Sequence, residues 1–230
     1  MFKKIKGLSL LMVMVSSVAI ANPNAIFIEQ VGETSTIAIT QTGQNNTVGS
    51  ENDRFDLGGN SQDITITQTG SNNILSGRIT NAANVEYDVN VTGNSNENIF
   101  NTGSTASVAG TVQNMTITGD NNLTTFNQGD VSSATNATLN YTFAGDFNTL
   151  TANINTDDVV NTVNVTGDQN TITSTQNGYA GKNIDMNVVG SLNTINIDQK
   201  STTNVDTLKL NTTGSGSTIN VTQCNVSTNC

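Results

Sequence analysis

Few residues in this chain of 230 have the chemistry for a reactive site. Asp157 and Asp158 are adjacent acids, and paired carboxylates are the working groups of glycoside hydrolysis. Glu51, Asp53 and Asp56 are spaced loosely enough to offer several oxygens to a calcium ion. Histidine is absent altogether, which removes the common nucleophile–imidazole triads and the histidine-based metal sites. The acid pair falls where a solvated loop is expected, and no aspartate-rich calcium motif recurs along the chain. Neither constellation makes a site, so the sequence points away from an enzyme and requires no cofactor and no metal. Cys224 and Cys230 are the only cysteines. In an oxidising compartment such a pair reads as a disulfide, which would either staple the last strand or cap one end of the molecule.

The first residues answer the question of compartment. Lys3, Lys4 and Lys6 form a positive region, Leu8 to Ile20 an apolar stretch, and Ala19-Ile20-Ala21 a small-residue cleavage site. The chain is therefore expected to be secreted, with a signal peptide at 1–21 cleaved after Ala21. Its loss leaves five of the eight basic residues against 18 acidic ones. So acidic a chain offers phosphates no basic footprint, and nucleic acid is not an expected partner. Asn and Thr contribute 37 residues each, and Pro occurs once. Apolar residues are scarce enough to approach the composition of disordered chains. A disordered export product would carry more Pro, Lys and Glu, however, and would not space its isoleucines periodically.

That periodicity belongs to a repeat. Gly-x-x-Asn starts at Gly43, Gly70, Gly93, Gly119, Gly145, Gly167 and Gly190 and ends at Asn46, Asn73, Asn96, Asn122, Asn148, Asn170 and Asn193. Gly214 continues the series with Ser217 in the Asn place, and the intervals between glycines are 27, 23, 26, 26, 22, 23 and 24 residues. Four residues before each glycine stands an apolar or aromatic residue, from Ile39 and Ile66 to Met186 and Leu210. Two before it stand Gln41 and Gln68, then Val91, Ile117, Phe143, Val165 and Val188, with Thr212 last. Period two on both sides of a Gly–Asn turn predicts strand, turn and strand with one face buried. Glycine would supply positive φ, and Asn would bond the turn backbone.

One such unit cannot bury its face alone. The fold class expected is all-β: a β-solenoid of about eight stacked strand-turn-strand repeats of 22–27 residues. It would span 22–223, with 224–230 as a C-terminal segment holding the disulfide. The Asn column should form a ladder of side-chain amides along the axis, and the inward glutamines another, because stacked amides satisfy one another. "SENDRFDLGGNS", Ser50 to Ser61, is expected to bulge as a loop. Thr42, Thr69, Thr92, Thr118, Thr166 and Thr213 precede turn glycines and form an outward column, interrupted at Ala144 and Val189.

At these residues the sequence resembles the curli subunits, extracellular functional amyloids of bacteria. Their repeat is Gln-x-Gly-x-x-Asn-x-Ala, followed three residues later by another Gln. "QVGETSTIAITQ" matches with Gln30, Gly32, Ser35 for Asn, Ile37 for Ala, and Gln41. Gln41-Thr42-Gly43 and Gln68-Thr69-Gly70 restart the motif, and late glutamines recur at Gln128, Gln176, Gln199 and Gln223. From the third unit onward aliphatic or aromatic residues replace the leading Gln. The resemblance implies a secreted subunit that self-assembles into a homopolymeric cell-surface fibre, for adhesion and biofilm matrix. It also implies a related minor or nucleator subunit and an outer-membrane export machinery as partners. The alternative is a capped or monomeric solenoid that binds a surface, as an adhesin or an ice- or polysaccharide-binding protein.

Overall fold

A computed structural model describes residues 23–31, 35–52, 54–58, 60–79, 82–102, 108–110, 112–128, 134–136, 138–178 and 181–225. The expected signal peptide, Asp53, Gly32 and Cys230 lie outside the described residues, as do the side chains of Gln30 and Gln128.

The described strands form two sheets, one of 11 strands and one of 10, and their pairings are parallel, as in Thr149–Asn155 on Thr171–Asn177. The front sheet starts with Ala25–Ile26 and Ile28–Val31 and climbs through Ile74–Ile79, Leu123–Gln128 and Thr171–Asn177 to Thr218–Gln223. The back sheet climbs from Ser35–Thr42 through Asn60–Thr69 and Ala82–Thr92 to Val159–Thr162, Lys182–Asp185 and Asp206–Thr207. The chain alternates between the sheets, so each strand pairs with its counterpart one turn later. This is a β-solenoid, and its eight glycine corners enclose about seven turns.

The register follows the glycines. Thr47 pairs with Ile74, Ile74 with Glu97, Glu97 with Leu123, Leu123 with Thr149, Thr149 with Thr171, Thr171 with Thr194 and Thr194 with Thr218. These offsets reproduce the seven glycine intervals one for one. Another layer, with Ala25 on Thr47, precedes the first glycine corner.

Alternation decides which face is inside. Thr149–Asn155 alternates half-buried and buried residues along its length, which sends Leu150, Ala152 and Ile154 inward. The core is one narrow seam between the sheets, running from Ile37 and Ile39 to Ile195 and Ile197. Phe126 and Tyr141 meet across it edge to face, with ring centroids 5.9 Å apart.

Two expectations are corrected. Among the corner glycines only Gly43, Gly70 and Gly93 have positive φ. From Gly119 to Gly190 the requirement is close approach: a Cβ on Gly119 would lie 2.3 Å from the Gly145 carbonyl oxygen. The left-handed conformation falls two residues later, on Asn45, Asn72, Ser95, Asn121, Phe147, Gln169 and Leu192, with φ between 56° and 62°. Nor is the stretch from Ser50 to Ser61 one loop. Phe55–Gly58 returns to the ladder beside Ile28–Val31, because Phe55 and Leu57 keep period two and Phe55 is buried.

Candidate functional site: the amide ladders and their ends

The corners place one Asn per turn inside the stack, and each bonds to the next. Asn73 donates its backbone N–H and its side-chain amide to Asn46 Oδ1, both at 3.0 Å. Asn96 repeats this on Asn73, and Asn122 on Asn96. Asn148 donates its backbone N–H to Asn122 at 2.8 Å; Asn170 and Asn193 use both donors again. The amide also reaches forward: Asn46, Asn73 and Asn96 each donate to the carbonyl of the next corner glycine at 2.8 Å. Stacked amides thus satisfy one another along the ladder, except at Asn148, whose buried Nδ2 has no partner. Ser217 ends the ladder by donating its backbone N–H to Asn193 Oδ1.

Two participants were not singled out from the sequence. Asn24 heads the Asn ladder, its Oδ1 accepting the Asn46 N–H at 2.9 Å; its signal is the 22-residue spacing from Asn46. From Gly70 onward the residue after each corner glycine belongs to a second, outer ladder that runs the opposite way. Ser71 donates its N–H to Asn94, Asn94 to Asp120, Asp120 to Asp146, Asp146 to Asp168, Asp168 to Ser191 and Ser191 to Ser215. Its signal is that every one of these positions carries a side-chain acceptor.

The glutamines divide between the sheets. In the back sheet Gln41 Nε2 donates to Gln68 Oε1 at 2.8 Å, and Val91 follows in register. In the front sheet Gln176 donates to Gln199 at 3.0 Å and Gln199 to Gln223 at 2.8 Å. Gln128 shares that column, but Ile154 stands between it and Gln176. Gln30 pairs with Leu57. It therefore heads the column of Gln128, Gln176, Gln199 and Gln223 rather than stacking on Gln41, because 11 residues is half a turn and lands on the opposite sheet.

Other singled-out residues are dispersed. Asp157 and Asp158 lie in a bend between Thr149–Asn155 and Val159–Thr162, where Asn136 donates to Asp158 at 2.9 Å. Glu51 is exposed, Asp56 sits within a strand, and among the described residues no group of three or more potential ligands could hold a metal. Cys224 is disulfide-bonded. The six outward threonines before the glycines are all exposed.

A buried ion pair lies at the opposite corner. Lys182 Nζ is 3.4 Å from Asp206 Oδ2 and donates to the Ser201 carbonyl at 2.8 Å. Asp206 accepts the Ser201 N–H at 3.0 Å and its hydroxyl as well. Those bonds offset part of the cost of desolvating both charges.

The outer face of the front sheet carries an in-register column of Thr149, Thr171, Thr194 and Thr218. Beside it an open depression of about 310 Å³ is lined by Thr173, Thr175, Asn196, Asp198, Asn220 and Thr222 among others. No family model, no curated protein and no solved structure matches this chain.

Proposed function

We propose that the chain is a structural subunit of a curli-like extracellular fibre, built by stacking solenoid on solenoid along the axis of the amide ladders. The observation that carries this reading is that, among the described residues, the columns stop at both ends without being finished. Ile26 and Ile28 at one end, and Leu208, Leu210 and Ile219 at the other, are only partly buried, whereas their counterparts within the stack, such as Leu75, Met186 and Ile195, are buried. Open parallel edges of this kind template further strands. Another copy would supply main-chain hydrogen bonds, apolar cover and amide partners together. Secretion through the signal at 1–21, a related nucleating subunit and an outer-membrane export machinery accompany this reading.

A second reading is a solenoid that works as a monomer and holds a surface or polysaccharide on its Thr-rich front face. The in-register threonines and the depression beside them favour it. Incubating the oxidised protein without denaturant, followed by electron microscopy and fibre diffraction, separates the two. Fibres with a reflection at about 4.7–4.8 Å along the axis are the expected result. A persistent monomer, with or without seeds, would transfer the argument to the threonine face.

A further inference from the structure

The two sheets differ by one layer. Among the described residues the front sheet has nine successive layers, from Ala25–Ile26 to Thr218–Gln223, and the back sheet has eight, from Ser35–Thr42 to Asp206–Thr207. The described stack therefore begins and ends on the front sheet. Placing the first front strand of a second copy on the last of the first would leave the back-sheet edges roughly 10 Å apart, one strand short of contact.

The extra layer has a recognisable counterpart. Through the register, "AIFIEQ" at 25–30 occupies the same columns as "TINVTQ" at 218–223, placing Ile26 with Ile219, Ile28 with Val221 and Gln30 with Gln223. Asn24 stands in the ladder place of Ser217. Resting on the fibre reading, we propose that segment 24–31 is a built-in substitute for the last front strand of a neighbouring copy, and that assembly proceeds by exchanging one for the other. Once 24–31 lifts away, the described stack is a whole number of turns. Ser35–Thr42 then meets 206–213 of the preceding copy, and Thr47 meets its Thr218, with no gap in either sheet.

Two buried orphans fit this junction. Gln41 Oε1 and Thr212 Oγ1 are both buried and lack a hydrogen-bond partner. They sit at opposite ends of one back-sheet column: Gln41 pairs with Gln68, and Thr212 lies against Val188, bonded through its backbone to Asn187 and Val189. The Gln41 amide donates to Gln68 in the following layer at 2.8 Å and to the Ala25 carbonyl at 3.4 Å; the second bond is given up on exchange, and the Gln41 side-chain carbonyl is left for the layer before. In the exchanged junction the Thr212 hydroxyl donates to it. Ser217 Oγ would accept the Asn46 N–H in place of Asn24, as Ser191 and Ser215 accept backbone N–H groups at 3.0 Å within the stack. The resident segment is tethered and ends in an amide, so it holds its place in an isolated subunit and slows nucleation.

Gly214 supplies the test. A Cβ on any earlier corner glycine would strike the carbonyl of the following one, at 1.8 Å for Gly43 and 2.0 Å for Gly190, but Gly214 has nothing within 4 Å. In the exchanged junction Gly43 of the next copy fills that space; in a junction without exchange no corner glycine comes to it. Full-length Gly214→Ala should keep the wild-type circular dichroism and unfolding midpoint, yet lose fibre growth by at least about tenfold. Full-length Ile26→Asp/Ile28→Asp, which loosens only the segment that leaves, should shorten the lag roughly tenfold or more. Wild-type growth in Gly214→Ala, or an unshortened lag in the double variant, would overturn the exchange while leaving the fibre standing. If the wild type itself forms no fibre even with seeds, both the exchange and the fibre fall.

Discussion

Lys182 shows how little of a buried charge can be read in advance. Its side chain is fully enclosed and its partner is 7 % exposed. The only trace in the sequence is a spacing of 24 residues, equal to the interval from Gly190 to Gly214, which puts the two in register. Composition would have placed both on the surface. Removing one partner strands the other without water. Asp206→Ala should therefore lower unfolding stability by about 3 kcal/mol, measured by chemical denaturation, while Lys182→Met/Asp206→Leu should recover most of the loss. The left-handed corner residues were equally hidden. Phe147 and Leu192 adopt φ of 56° and 62° although neither favours it, because the layers above and below dictate the corner's path.

At the scale of the corner, two ladders run in opposite directions, and only the inner one was legible. The inner Asn recurs with little variation, whereas the outer position changes from Ser to Asn to Asp and back to Ser, so identity conceals a shared role as acceptor. That outer ladder has a local fault. Asp120, Asp146 and Asp168 follow one another, each accepting a backbone N–H from the preceding layer, and like charges stacked in register repel. Asn94 serves the same position without charge, accepting from Ser71 and donating to Asp120. Asp146→Asn should raise stability by roughly 0.5–1 kcal/mol, seen as a higher thermal midpoint whose advantage shrinks in salt. The strands themselves were readable because period two and the glycine spacing agree at every turn. The strand from Phe55 to Gly58 was not legible because its polar neighbours obscure the buried Phe55.

Across the whole molecule the repeat fixed the architecture, and the register of seven successive turns could be counted from glycines alone. The first described layer, Asn24 and segment 25–31, has no glycine corner before it, so its place in the columns was not legible from the corner spacing. Charge acts at this scale too. The chain carries a net −10, so copies approaching end to end repel over a Debye length of about 10 Å at 0.1 M salt. Fibre growth should accelerate as sodium chloride rises from about 10 to 150 mM, followed by thioflavin fluorescence or light scattering. Slower growth in salt would mean that ion pairs hold the junction.

The layered register has a mechanical side. Each turn is bonded only to the turn before and the turn after, and Ala25 and Gln223 lie in the outermost described layers of the rod. A pull applied between them loads those turns in series, so the rod peels from an edge instead of giving way at once. Each turn let go releases 22–27 residues, roughly 75–90 Å of extended chain. A tether built this way lengthens in steps under a sudden tug and dissipates the shock, and its surviving turns remain a template on which the released chain can rewind.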